Sequence, residues 1–410
     1  MKTLIILSLL CLNICISNAQ VDSTKQTVDY NFIIMDSPAQ LFTMRQFNQD
    51  YLSLYRLSAR GLNNSVNEYV SDVIQVWLIS FFLMPLTHEE GHRSILTAKN
   101  IGAISQPYFN KDLAAYVKGV SDETLKNLRD NDLPNYIRLH TAGLESDYML
   151  TKRVENIGSF EKDEFKNFKW EYWLRKLAIL QYYVSGLFQL DVDIEEEENE
   201  LERDIVGFDT YGAARHLYRP DMKFYRYTKY KDLSSEEAIF IKRIGARSFL
   251  NLINPLMLGI ENFKITDNLK LNAGLGYTMS PFGDFIDENI WLKYKELNLS
   301  VYARQFQNKN NWFNGFGISL FDFHLFERLD CDISGHYWEQ PKDLDFNTAG
   351  SLPGGAFDMD LRYFFIINKN SLLKAYSFDL GLLYKSKGFL PEELFLNEHF
   401  TVRLGTTLRF

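Results

Sequence analysis

Within the stretch "PLTHEEGHRSILT" (Pro85 to Thr97), two histidines stand four residues apart and a glutamate follows the first. On an α-helix, residues at that spacing point from one face, so His88 and His92 can share one metal ion. Glu89, one step round the helix, can reach a water held there. The chemistry this suits is hydrolysis. Zn²⁺ lowers the pKa of a water toward neutrality, and Glu89 as general base takes its proton during attack on a carbonyl. Pro85 fits the first turn of such a helix, where its missing N–H is not needed.

Catalytic zinc takes three protein ligands, so a third is expected downstream. The stretch "RLHTAGLESDYMLTKR" (Arg138 to Arg153) is the favoured source. Its Glu145 sits among apolar and small residues, where an unpaired carboxylate would be costly. Ala142 and Gly143 would let this helix approach the His88–His92 helix closely. Asp147 could orient a ligand histidine through its second ring nitrogen. His88, His92 and Glu145 are therefore the expected Zn²⁺ ligands, with Glu200, Glu202 and His140 as alternatives to Glu145. The stretch from Gly207 to Pro220 gathers Asp209, Tyr211, His216 and Arg219, and reads as a polar packing helix.

At His88, Glu89 and His92 the chain resembles the zincin metallopeptidases, with Gly91 giving the common His-Glu-x-Gly-His form. The resemblance implies a zincin-like domain that cleaves peptide bonds. Glu200, Glu202 and Asp204 resemble the Glu-x-Glu-x-Asp stretch of the CAAX-prenyl protease group, although they continue an acidic run. No third histidine follows His92 at the short spacing of the metzincins.

These residues must be positioned by the elements around them. Residues 1–19 read as a secretory signal: Lys2, an apolar run from Leu4 to Ile16, then Ser17 and Ala19. That run is too short for a comfortable membrane span. It contains Cys11 and Cys15, so Cys331 is the one thiol left and no internal disulfide forms. The net charge of -9 argues against a nucleic-acid partner. The acidic run from Asp191 to Asp204 reads as a solvated face.

Residues 20–265 carry helical periodicity. Helices are expected over Glu68 to Leu86, ended by Pro85, over Trp170 to Leu190, and from Ser234, a good helix start, to Ile253. Over residues 266–410 the period drops to 2. Leu269, Leu271, Ala273, Leu275, Tyr277 and Met279 share one face, as do Phe357, Met359, Leu361, Tyr363 and Phe365, and likewise Tyr376, Phe378, Leu380, Leu382 and Tyr384. About eight such segments alternate with turn signals such as "PFGD", "LPGG" and "NKNS". Strands of that kind suit a transmembrane β-barrel.

The last dozen residues place Phe400, Val402, Leu404, Thr406, Leu408 and Phe410 on one face, with Thr401, Arg403, Gly405, Thr407 and Arg409 opposite. Here the chain resembles bacterial outer-membrane proteins. The resemblance implies that the barrel-assembly machinery reads the C-terminal Phe410.

The expectation is thus an α+β multidomain chain, with a mainly helical zincin-like domain followed by a small antiparallel barrel of about eight strands. The expected function is a zinc-dependent endopeptidase of the Gram-negative outer membrane, its helical domain facing the periplasm, with protein or peptide substrates and membrane lipid as partners. The alternative is a non-catalytic outer-membrane barrel with a helical module for structure, transport or docking. A third reading, a soluble β domain, would leave the protein in solution without detergent.

Overall fold

The computed structural model describes residues 27–39, 41–106, 115–191, 196–367 and 371–410. The expected signal over residues 1–19, part of the acidic run and most of the "NKNS" turn lie outside the described residues.

The chain opens with strand β1 (Asp29–Ser37), then helices α1 (Met44–Ser65), α2 (Glu68–Leu78) and α3 (Met84–Ala98). A short hairpin, β2 (Ile104–Gln106) with β3 (Tyr116–Lys118), precedes α4 (Asp122–Asn131), α5 (Leu133–Ser159), α6 (Lys169–Val184), α7 (Asp209–Tyr218) and α8 (Ser235–Arg247). Ser234 and Glu237 cap α8 reciprocally, as the serine start led one to expect. Helix does not stop at Pro85. A π-helical turn, Ile79–Leu83, joins α2 to α3, and Pro85 lies in the first turn of α3. The wider turn accommodates the donor that proline lacks.

Strands β4 (Phe263–Thr266), β5 (Leu269–Ser280), β6 (Gly283–Tyr294), β7 (Leu297–Gln307), β8 (Trp312–Phe326), β9 (Leu329–Pro341), β10 (Ser351–Ile366), β11 (Ala375–Lys385) and β12 (His399–Arg409) follow as an antiparallel meander. Strand β1 pairs with β12, which makes one ten-stranded sheet in the order β1-β12-β11-β10-β9-β8-β7-β6-β5-β4. The eight expected strands are β5 to β12. The short β4 and the N-terminal β1 are additional, and the two ends of the sheet do not pair with each other. The sheet is not closed into a barrel.

Helices cover the two open edges instead. Along β1, one face of α1 supplies Gln46, Gln49 and Ser53, which donate to the carbonyls of Ile33 and Asn31, while Asp50 accepts from the Ile33 N–H at 2.7 Å. Along β5, Asn251 exchanges two 2.9 Å hydrogen bonds with the Tyr277 backbone, Leu275 N–H donates to the Ile253 carbonyl, and Met279 N–H donates to the Tyr183 hydroxyl. Edge groups that would otherwise recruit another strand are thereby satisfied.

The two faces of the sheet invert the usual soluble arrangement. Most of the apolar sets read from the sequence point outward, and Phe316, Phe357, Phe378 and Phe400 are each more than half exposed, whereas Tyr277 and Met279 at the end of β5 are buried against the helices. The opposite face is buried, and it mixes charged side chains with apolar ones such as Phe285, Phe306 and Trp338. With α1 and α5 it encloses a cavity of about 610 Å³. Buried ions here need partners, and they have them. Asp287 accepts from Arg304 at 2.6 and 2.8 Å and from the Tyr148 hydroxyl at 2.5 Å. Arg362 donates to Asp332 and Asp322, and Arg409 to Asp29 and Asp330.

Arg304→Ala leaves the Asp287 carboxylate buried without its cation. It is expected to destabilise the fold by about 3–5 kcal/mol, read as a lower denaturation midpoint. Truncating the outward Phe316 to alanine should shift that midpoint far less when measured in detergent.

Candidate metal centre

Three helices build the site. Helix α3 carries His88, Glu89 and His92 on consecutive turns. Helix α5 lies against it because both surfaces are small at the contact. A Cβ added at Gly91 would sit 2.5 Å from the Ala142 carbonyl oxygen, and one at Gly143 would sit 2.3 Å from His88 Nε2. The close approach expected from Ala142 and Gly143 is therefore present. Helix α7 reaches α5 in the same way, since a Cβ at Gly212 would meet the His140 ring at 2.4 Å. That packing brings Asp209, the first residue of α7, over the two histidines. The positive end of the helix dipole favours a carboxylate at that position.

Asp209 Oδ2 lies 3.0 Å from His88 Nε2 and 3.4 Å from His92 Nε2. The three side chains are buried, and together they form a group able to hold a metal ion. The second nitrogen of each ring is already engaged. His92 Nδ1–H donates to the Leu139 carbonyl at 2.6 Å, and His88 Nδ1–H donates to the Asp147 carboxylate at 2.8 Å. This fixes both rings with Nε2 turned toward Asp209, the usual way in which metal-binding imidazoles are oriented. Two nitrogen lone pairs and a carboxylate facing one another repel unless a proton or a metal ion lies between them. Two imidazoles and one carboxylate are donors that a divalent metal ion accepts.

Behind this group is a chain of buried charge. Asp147 also accepts from Arg175, which donates to Glu171 at 2.5 Å and to the Thr87 hydroxyl at 2.9 Å. Arg175 and Lys176, the charged residues that interrupt α6, are buried, and Lys176 pairs with Glu155 at 2.8 Å. The Tyr182 ring stacks on His88 with centroids 5.0 Å apart.

Electrostatics follow from burial and these neighbours. Burial opposes charge on His88, but the Asp147 and Asp209 carboxylates outweigh it and hold the imidazole pKa well above 6.5. His92 is raised likewise: burial opposes its charge and Asp209 prevails. Burial would raise the Asp209 pKa, yet His92 and His88 hold it below the ordinary carboxylate range. Burial pushes Glu89 up to about 8, with His92 and His88 opposing, and pushes Asp204 up to about 7.

Glu145 is not the third member of this group. Its two oxygens accept from Arg138 at 2.6 and 2.9 Å, and one also accepts from the Glu392 N–H at 2.8 Å. The burial that made Glu145 conspicuous is real, and an arginine compensates it. Glu200 accepts from the Asp122 N–H and Glu202 pairs with Lys118. Asp204 is close enough to feel His92, but it is not in the group. His140 stacks on His216 at 5.4 Å and is held neutral by burial. The hydrogen bond expected from Asp147 to a ligand histidine is formed, with His88. Asp209 stood inside a segment read as a polar packing helix. The available signal was small residues, Gly212, Ala213 and Ala214, within about a turn of an acid, much as Ala142 and Gly143 stand near Glu145 in α5.

No protein family, curated protein or solved structure was found to match the chain. The fold and site define its class: a helical region with a buried His88–His92–Asp209 group that could hold a metal ion, followed by a ten-stranded antiparallel sheet.

Two outcomes are expected. Asp209→Ala should lose metal, whereas Glu145→Ala should keep it in the folded fraction while losing about 3–5 kcal/mol of stability, because Arg138 is left buried alone. Metal content and denaturation of the two variants separate these effects. In the metal-free protein, the paired His88 charge stabilises the fold fully below pH 6.5 and is lost as pH rises through its raised pKa. Metal needs the unprotonated ring, so its affinity should rise with pH across neutrality and binding should release protons. Calorimetry in two buffers of different ionisation enthalpy measures that release.

Proposed function

We propose that this chain is a zinc-dependent endopeptidase anchored in the outer membrane of a Gram-negative bacterium. The observation that carries the catalytic part is the convergence of His88 Nε2, His92 Nε2 and the Asp209 carboxylate, with Glu89 beside them. His88, His92 and Asp209 would hold the ion, which when bound lowers the pKa of a water and polarises a substrate carbonyl. Glu89, one step round α3 from the histidines, acts as the carboxylate, takes the proton from the attacking water and returns it to the leaving amine. Asp147, backed by Arg175, holds His88 in one tautomer and orientation. The substrates are proteins or peptides.

The membrane part is supported by the inversion of the sheet. An outward apolar face over a charged interior is the pattern of a transmembrane barrel. Where β1 and β4 do not meet, the outward residues of the helices continue that apolar surface: Val73, Trp77 and Phe81, then Ile253 and Leu258. The 11-residue α2 and the 5-residue π turn extend about 24 Å at 1.5 Å per residue, close to the height of a barrel's apolar band. On this reading lipid covers β1 and β4–β12 and the Glu68–Leu83 stretch, while α3 with its metal ligands lies beyond it. The polar cavity favours a second reading, a conduit with a helical module, in which Glu89 has no catalytic part.

The test uses the detergent-purified chain and a pool of fluorogenic peptides. The unmodified protein should hold about one zinc per chain and cleave peptides. Glu89→Gln should retain the zinc and lose about 10²–10⁴-fold in rate. Full activity in Glu89→Gln would remove the peptidase reading.

A further inference from the structure

The sheet has a polarity that bears on where the metal site faces. Both chain ends leave it on one side: Val28 and Phe410 exchange backbone hydrogen bonds of 3.0 Å, and Asp29 pairs with Arg409. On that side the connections at 267–268, 295–296 and 327–328 are tight turns, and only 367–374 is longer. The two longest connections between sheet strands after β4, 342–350 and 386–398, lie on the opposite side.

The metal site belongs to that opposite side. In the 386–398 connection, the Leu394 carbonyl accepts from Arg138 at 2.9 Å and the Glu392 N–H donates to Glu145. Leu394 also shares a core with Ile95, Leu96 and Leu139, residues within a turn of His92 or of its partner. The far end of α5 reaches the side of the termini instead, where Glu161, just beyond it, pairs with Lys270 and Lys293. Helix α5 therefore runs from the candidate metal site along the inner face of β5 and β6 to the side of the tight turns.

Bacterial outer-membrane barrels keep short turns on the periplasmic side and long connections outside. We infer that the metal site faces the exterior of the cell. The inference rests on reading the sheet as an outer-membrane barrel, and it reverses the periplasmic orientation expected from the sequence. The reason for the reversal is β1. An upstream helical half would stay on the side of the N-terminus, but β1 carries the chain across before the helices begin. The substrate class follows: polypeptides that arrive from the medium or stand on the cell surface, in place of envelope proteins still in the periplasm.

The test is labelling with a membrane-impermeant maleimide, in intact and in permeabilised Gram-negative cells making the full chain. The one cysteine among the described residues, Cys331, is buried and gives a low background. Two variants report the two sides. Lys126→Cys lies on exposed α4 beside the metal helices, and Glu327→Cys lies in the tight turn between β8 and β9. The expected result is that Lys126→Cys labels at least about tenfold more strongly than Glu327→Cys in intact cells, with the difference vanishing on permeabilisation. Preferential labelling of Glu327→Cys in intact cells, with the protein still in the outer-membrane fraction, overturns the orientation and leaves the barrel standing. Labelling of both only after permeabilisation, with the protein recovered without detergent, overturns the barrel reading beneath it.

Discussion

Helix α5 is buried along nearly its whole length, and it carries charged groups that cannot reach water. Arg138, Glu145, Asp147 and Glu155 are each at most 1% exposed. A buried ion without a partner costs several kcal/mol, so every one of these must be met by another element. The partners are what tie the molecule together. Arg138 and Glu145 meet each other and the β11–β12 connection, Asp147 meets α3 and α6, and Glu155 meets Lys176 and Tyr172 of α6. The metal group is one consequence of satisfying this helix.

The same helix has two working faces. Toward α3 and α7 it presents Leu139, Ala142, Gly143 and Asp147, which hold the imidazoles by backbone carbonyl, by absence of side chain and by carboxylate. Toward the sheet it presents Tyr148, Lys152 and Asn156, which bond to Asp287, Asn289 and Trp291 of β6. Any shift of α5 against the sheet thereby moves the Leu139 carbonyl and the Asp147 carboxylate that orient His92 and His88. The site rests on an element clamped from both sides, which is how a constellation of ligands is kept in register.

The unclosed sheet fits the same frame. A barrel closes by pairing its first and last strands, and here helices stand between them. The polar face of α1 substitutes side-chain hydrogen bonds for a strand ladder along β1, and Asn251 does so along β5. The interior is consequently shared between strand and helix. Its charges are paired partly between neighbouring strands, as Asp287 with Arg304, and partly between the two ends of the chain, as Asp29 with Arg409.

Much of this was legible in the residues themselves. Spacing of His88, Glu89 and His92 on one helix is a local property, and so is the two-residue period of β5 to β12, because side-chain direction follows directly from backbone geometry. The small residues at Ala142 and Gly143 announced a close helix contact for the same reason. What the tertiary structure alone decided is which distant groups complete local ones. A buried carboxylate signals only that a partner exists; for Glu145 the partner is Arg138, while Asp209 is delivered to the histidines by the packing of α7 at Gly212. The pairing of β1 with β12, and with it the side of the sheet on which the helices stand, is also a long-range choice. Strand pairing joins residues from opposite ends of the chain, and no local periodicity encodes which ends will meet.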